Sequence, residues 1–473
     1  MSSETESEFI RVRLRNFGPV EEAEIKVRPL TLFIGRNSVG KSLVAELIWV
    51  LSKSLPDSVS LFSKFHKRSM EVFRGYDPLG ILYEKIQRGE EEVTDYIKIV
   101  SELLIDLLGE AFAEGLEREL REIFGEINKL IRIGADRAEI DIETILGGKS
   151  ISSIAFMIKD NKVSLQKYSP NKKFLETLKI TTPYPKHLVI QRDKEEIYGG
   201  TIYSINDLIR EVIANIIYHY SLETFPLLFR TTNNLFLSDS RAGVIKILLR
   251  PYPRISWIRG VGGVEADFSE TYFELVDVFE KKDFNKELKG SLDEVLDELG
   301  CRVEVKREAG VPGIYLYMWS GQILNLAEAP SGIREILLPL LALASKRHTL
   351  VIIEEPEAHL HPKAQRSLAK LIARAINTDK YVLITTHSDY ILSQIENLIK
   401  LSAKSGGDIR RLGFDPLDAI DPEDVSVYLF RLERDRSKVF VEEIPVTHEG
   451  IPQDEFAKIV EEILEERSRI ETS

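Results

Sequence analysis

The sequence predicts an α/β fold on a mixed, largely parallel central sheet, and three stretches predict it. Leu30-Thr31-Leu32-Phe33-Ile34 is an apolar run of strand length that leads into Gly35-Arg36-Asn37-Ser38-Val39-Gly40-Lys41-Ser42. Beyond that loop Leu43, Val44, Leu47, Ile48 and Leu51 recur at helical spacing. A second run, residues 349–353, ends in Glu354 and Glu355, and a third, residues 381–386, ends at His387. Unbroken apolar runs mark strands covered on both faces, as in parallel sheets. Ligands of such sheets sit outside the carboxyl ends of the strands, so the three loops are expected on one edge.

The first loop has the chemistry of a phosphate cradle. Gly35 and Gly40 let the main chain turn tightly and come close to phosphate oxygens. The N–H groups of Arg36, Asn37, Ser38 and Val39, with the positive end of the following helix, favour an anion. Lys41 is then in reach of terminal phosphates and the Ser42 hydroxyl is placed for Mg²⁺, so residues 35–42 predict ATP and Mg²⁺ as ligands. Glu354, delivered toward Ser42, would hold the magnesium shell. Glu355 would orient or deprotonate an attacking water, and His387 would hydrogen-bond a γ-phosphate.

The order of these residues, with Ser331-Gly332 between the first and second runs, resembles the ATPase heads of the ABC superfamily. Asn16-Phe17-Gly18-Pro19, Glu355-Pro356-Glu357-Ala358-His359-Leu360-His361-Pro362 and Thr385-Thr386-His387-Ser388 look like the overcoming-lysogenization-defect group, which lies close to RecF-type and structural-maintenance-of-chromosomes ATPases. The resemblance covers roughly residues 8–52 and 233–445. It implies an ABC-type P-loop NTPase head with N-terminal antiparallel strands, ATP hydrolysis to ADP and phosphate, and a homodimer or higher oligomer that ATP closes. It puts Ser331 and Gly332 where such proteins carry the signature motif that contacts ATP bound to a partner subunit, although Ile333 and Arg334 replace the usual glycine-rich continuation. On the residues alone, Ser331 is a helix N-cap. Residues 233–243 look like the strand and arginine turn found ahead of the signature region, with Arg241 near phosphate, at the dimer seam, or structural. His359 and His361 fall in a segment that such heads place near the dimer interface. Pro362, suited to a first helical turn, argues against a histidine metal pair there.

The chain has 473 residues. The expected organisation is 1–52, the first part of the head; 53–230, an inserted, mostly helical lobe; 231–400, the second part of the head with a helical insertion near 265–300; and 401–473, a β/helix extension. Within the lobe, helices are expected at 99–107, 111–131 and 206–220, with a hairpin of 151–157 and 162–166 turning at Asp160-Asn161. The extension is expected to hold an irregular stretch at Ser405-Gly406-Gly407, two strands and a terminal helix over 454–470. Its acids, Asp415, Asp418, Asp421, Glu423 and Asp424, sit among prolines and read as solvated loop acids. A Toprim nuclease such as the best-known relatives carry is therefore not expected in this chain.

Cys301 is the single cysteine, which excludes an intrachain disulfide framework and a Cys-x-x-Cys zinc hook. A formal net charge of -13 opposes a surface coated for nonspecific nucleic-acid binding. Arg11, Arg13 and Arg15 share one face of the first strand and, like the 64–68 basic cluster, form a candidate local patch; a solvated face is the plainer reading. No apolar run has membrane-spanning length, and the acidic start is unlike a signal peptide, so the expected location is the cytoplasm, without a membrane partner. Two outputs fit: DNA repair or anti-phage defence, in which DNA and a separate nuclease or effector are partners, or a nucleotide switch that sequesters an effector protein without touching DNA. A transporter engine fits poorly with the large insertion.

Overall fold

The computed structural model describes residues 9–470 apart from 55–60, 62, 66, 70–77, 91–92, 193–194, 209–210, 212–213, 225–233, 250–263, 309–310, 434–437, 453–465 and 468. The chain forms two compact units, one of residues 1–24 and 47–232, the other of 25–46 and 233–473. It opens with three strands, β1 (Phe9–Phe17), β2 (Val20–Val27) and β3 (Leu30–Gly35). β2 and the helix Lys41–Lys53 each contribute residues to both units.

In the first unit, β1 pairs antiparallel with β4 (Ala138–Leu146), β4 with β5 (Lys149–Lys159), and β5 with β6 (Lys162–Ser169). Strict alternation explains β1: Ile10, Val12 and Leu14 are buried, and Arg11, Arg13 and Arg15 take the other face. That basic stripe is neutralised by acids. Arg13 lies 2.8 Å from Glu24 and 3.1 Å from Glu143, Arg11 3.2 Å from each, and Arg15 3.5 Å from Glu22. Lys64 of the other basic cluster pairs with Glu114 at 2.7 Å. The β5–β6 hairpin turns where expected, with Asp160 and Asn161 both at positive φ. All three expected lobe helices are different in extent: where one is expected over 206–220, the described residues show Ile205–Asp207 and Ala214–Thr224. Residues 99–107 and part of 111–131 form one helix, Val93–Phe124, that runs through Gly109. Residues 127–130 are a separate 3-10 turn. The same unit holds a second antiparallel sheet of β7 (Leu178–Tyr184), β8 (His187–Arg192) and β9 (Glu195–Thr201), and the helices Pro78–Arg88 and Ala214–Thr224.

The second unit is mixed α/β. Its remaining strands are β10 (Leu235–Leu237), β11 (Cys301–Glu308), β12 (Val311–Met318), β13 (Ile323–Asn325), β14 (Leu350–Glu354), β15 (Tyr381–Thr386), β16 (Val425–Leu432) and β17 (Val439–Ile444). β10, β14, β15, β3 and β16 lie side by side and parallel, and β17 adds antiparallel to β16. All five residues of β14 are buried, as are the first five of β3, which is why both read as unbroken apolar runs. The register pairs Leu237 with Ile353, Glu354 with Thr385, and Thr386 with Ile34. The carboxyl ends of four strands therefore finish on one edge.

Helices Ser331–Ala344, Pro362–Ile376 and Asp389–Leu401 supply much of the core of this unit. Residues near 265–300 form the helices Val264–Lys281 and Lys289–Glu298 and lead to the β11–β12 hairpin, whose turn lies outside the described residues. Cys301 at the start of β11 is 4% exposed. Ser405-Gly406-Gly407 is not irregular: Ser405 caps the helix Gly406–Arg411 by accepting from the Asp408 N–H, and the two glycines are its first residues. The loop acids are occupied structurally. Asp415 and Asp421 cap short 3-10 turns, and the buried Asp418 takes Arg374 at 2.6 Å. The helix expected over 454–470 falls almost wholly outside the described residues. Among the described residues, no helix is long and apolar enough to cross a membrane.

Candidate active site

The loop after β3 has the backbone that its glycines anticipate. Gly35 stands at φ +133, Ser38 at φ 62 and Gly40 at φ 92. A Cβ on Gly35 would meet the Phe430 carbonyl oxygen of β16 at 2.5 Å, so a side chain there would collide with a neighbouring main chain. Arg36, Asn37 and Ser38 are exposed at the turn, and Val39 is buried beneath it. The helix then begins at Lys41.

Lys41 is nearly buried, and its ammonium donates to the carbonyl oxygens of Gly35 at 3.0 Å and Arg36 at 2.8 Å and to His387 Nε2 at 3.0 Å. Burial lowers its pKa from the ordinary lysine value, and the charges of Glu355, Glu357 and Glu354 oppose that shift. A lysine has no acceptor, so the ring proton of a neutral His387 sits on Nδ1 in this arrangement. His387 itself is held below the usual imidazole value, first by burial and then by the Lys41 charge. Glu355 Oε1 lies 3.6 Å from His387 Nε2, beyond hydrogen-bond range, and its side chain is 41% exposed.

Glu354 faces the other way in its chemistry. It is 3% exposed, its Oε2 accepts the Asp239 N–H at 3.2 Å, and the nearby Ser42 hydroxyl favours its charged form. Burial pushes its pKa up, and its Oε1 is buried without a hydrogen-bond partner. A buried oxygen left in this way beside a hydroxyl is a fit for a hard cation such as Mg²⁺, which takes carboxylate and hydroxyl oxygens.

The main chain at Glu355 is off the usual pattern, at φ 40, a position uncommon for a residue with a side chain. Its N–H donates to the Thr385 carbonyl at 2.9 Å. Glu357, which the sequence reading did not single out, braces the histidine: its Oε1 accepts from Thr386 Oγ1 at 2.8 Å and from the His387 N–H at 2.7 Å. Glu357 sits two residues beyond Glu355 in the Pro-Glu-Ala segment, so it was visible as an acid but its target, a backbone N–H on another strand, was not.

Arg241 does not reach outward. Its side chain is 0% exposed, and it donates to the carbonyl oxygens of Ser238 at 2.6 Å, Glu354 at 2.7 Å, Glu355 at 3.1 Å and Glu335. The structural reading of this arginine is the one that holds. Ser331 is the first residue of its helix rather than the cap, which is Pro330 and offers no side-chain hydrogen bond. Gly332 packs on the His359 turn: a Cβ there would come within 2.7 Å of the His359 carbonyl oxygen, and His359 stands at φ 60. His361 caps the following helix through Nδ1, with Pro362 in its first turn. The structure thus brings Lys41, Ser42, Glu354, Glu355 and His387 together at one sheet edge, while Ser331 and Gly332 begin the Ser331–Ala344 helix, with Gly332 against the His359 turn.

The AAA ATPase domain family matches the chain over residues 9–392, an interval that takes in the phosphate loop, the Glu354-Glu355 strand end and His387. The chain belongs to that family. No curated protein matches the chain. Among solved structures it is similar to an SMC head bound to the C-terminal winged-helix domain of ScpA, at 12% identity over 92% of this chain and 97% of that one, TM-score 0.41. It is similar to the SMC head domain from Thermotoga maritima at 9% identity over 93% and 99%, TM-score 0.35. A third is an Smc head domain with an extended coiled coil bound to the C-terminal domain of ScpA, derived from Pyrococcus furiosus, at 12% identity over 97% and 100%, TM-score 0.40.

Proposed function

We propose that the chain is a Mg-ATP-binding ATPase of the ABC head type that hydrolyses ATP to ADP and phosphate and works as a homodimer or higher oligomer. One observation carries this reading: a phosphate-type loop, a carboxyl with an unpartnered buried oxygen, an exposed carboxylate and a histidine meet at one edge of one sheet. Ser42 and Glu354 would hold Mg²⁺, which would supply charge neutralisation at the phosphate oxygens. Lys41 would turn its donors from the Gly35 and Arg36 carbonyls and from His387 toward the terminal phosphates. His387, freed from Lys41, would hydrogen-bond a γ-phosphate oxygen. Glu355, exposed beside it, would orient the attacking water and take its proton. A second copy would present its own Ser331 and Gly332 to the nucleotide, so that ATP closes the assembly and hydrolysis releases it.

For the output we favour DNA repair or anti-phage defence through a separate nuclease or effector, because the motifs resemble the overcoming-lysogenization-defect group. A nucleotide switch that sequesters an effector without DNA is the second reading, and the ion-paired state of Arg11, Arg13 and Arg15 favours it. The test compares ATP turnover and solution mass of the wild type and Glu355→Gln, with and without duplex DNA. Turnover lost in Glu355→Gln, with a larger assembly in Mg-ATP, is expected. Turnover that survives the substitution refutes the assignment of Glu355, and salt-sensitive stimulation by DNA separates the two outputs.

A further inference from the structure

We infer that Arg241 is a positioning residue through which the helix Ser331–Ala344 sets the place of Glu355; this rests on the reading of Glu355 as the group that handles the attacking water. Taking a guanidinium fully out of water is costly, and apolar packing would join a strand to a helix more cheaply. The charges of Glu335, whose Oε2 lies 3.4 Å from its Nε, and of Glu354 and Asp239 offset part of that cost, but Glu335 Oε2 makes no hydrogen bond to the guanidinium. Its donors go to main-chain oxygens instead. Nε donates to Glu335 in the second turn of the Ser331 helix, one terminal nitrogen to Ser238 and Glu354, and the other to Glu355. Only a planar fork can reach three segments at once, and lysine, with a point charge, cannot.

Glu355 is where such a tie matters. Its backbone sits at φ 40, with its N–H on Thr385 and its carbonyl on Arg241. Conformations of this kind persist only where surrounding contacts fix them. At the other end of the tie, Gly332 lies against the His359 carbonyl, and Glu335 is one turn further along the same helix. A displacement of the helix start therefore moves the Glu335 carbonyl, and Arg241 passes that movement to the peptide of Glu355.

The experiment uses the full chain and two substitutions, Arg241→Lys and Gly332→Ala. Arg241→Lys is expected to lower kcat about ten- to hundred-fold, the scale of a misplaced catalytic group, with KM for ATP within about twofold. A fall confined to KM, or an unchanged kcat, overturns the inference. Hydrogen exchange without nucleotide supplies the second arm. Gly332→Ala, whose new methyl presses on the His359 carbonyl, is expected to speed exchange of the Glu355 amide about tenfold in the wild-type background and to add nothing in the Arg241→Lys background. Unchanged exchange in Gly332→Ala, or equal effects in both backgrounds, overturns the inference, and the Gly332→Ala comparison with wild type stands alone if Arg241→Lys does not fold. If the wild type itself shows no turnover, the role given to Glu355 fails, while the exchange arm still decides whether Arg241 links helix and strand end.

Discussion

Gly35→Ala is the substitution whose cost can be worked most directly from the structure. Two terms oppose it. At φ +133 the residue is in a region that glycine alone occupies with ease, and forcing a side chain there costs about 1–3 kcal/mol. The new methyl would also lie 2.5 Å from the Phe430 carbonyl oxygen, and that oxygen belongs to the main chain of β16, paired with Gly35 in the parallel ladder. It cannot swing aside like a flexible side chain. Relief requires parting the strands locally, with the loss of roughly one backbone hydrogen bond, about 1 kcal/mol. Together the terms predict about 2–4 kcal/mol, a large part of an ordinary domain's stability of about 5–15 kcal/mol. The assay is urea unfolding, following the transition that Mg-ATP raises, because ligand linkage identifies the unit that holds the loop. Gly413→Ala is the control. Gly413 is at φ +82 with open space around its Cβ position, so only the conformational term should act there, about 1–2 kcal/mol. A Gly35→Ala loss no larger than that of Gly413→Ala, with ATP affinity retained, would refute the claim that the Phe430 carbonyl makes glycine obligatory.

Two other expectations follow from groups at the site, and a third from a buried ion pair elsewhere in the second unit. Glu354→Gln should raise the urea midpoint at pH 7.5 without Mg²⁺ and abolish the Mg²⁺-dependent part of ATP binding: burial raises the carboxyl's pKa, so its contribution to stability is present below its ordinary value and lost as pH rises through the folded value. A lower midpoint in Glu354→Gln would contradict it. His387 has the opposite sign. With its folded pKa depressed, its contribution is complete above about pH 6.5 and is lost as pH falls through the folded value, so the wild type should lose stability on acidification more steeply than His387→Gln. Parallel pH profiles from 7.5 to 5 would count against it. Asp418→Asn leaves the partly buried Arg374 guanidinium without its ion-pair partner and should cost about 3 kcal/mol in urea unfolding while leaving the catalytic side chains in place; a loss below about 1 kcal/mol would show the pair to be incidental.

The parts of this molecule that were legible in the sequence are those where residue type and periodicity carry the information. β3, β14 and β15 were readable because both of their faces are covered, and the 35–42 loop because its glycines answer to backbone geometry. Ser42, Glu354, Glu355 and His387 followed from the strand ends. Arg241 was ambiguous because its partners are main-chain carbonyls, which every residue carries and which leave no mark on the sequence. Glu357 was overlooked for the same reason, since it receives the His387 N–H. Glycines misled at 406–407, where Ser405 capping outweighs their weak helix propensity. β4 went unread because its buried residues alternate with acids that only make sense opposite the Arg11, Arg13 and Arg15 stripe. Ser331 shows a subtler miss: the helix starts one residue early, at Ser331 itself, and the cap position is taken by Pro330.

The lone cysteine of the chain gives the β11–β12 hairpin a reporter of its own. Burial raises the Cys301 thiol to about 11, so at neutral pH it is protonated and shielded, and a thiol reacts through its thiolate. Alkylation of the native chain must therefore wait for this strand to come away from its neighbours. Because there is no second cysteine to confuse the count, the rate at which a single label enters is the rate at which that corner of the second unit opens. The chain can be timed, with and without nucleotide, without altering a single residue.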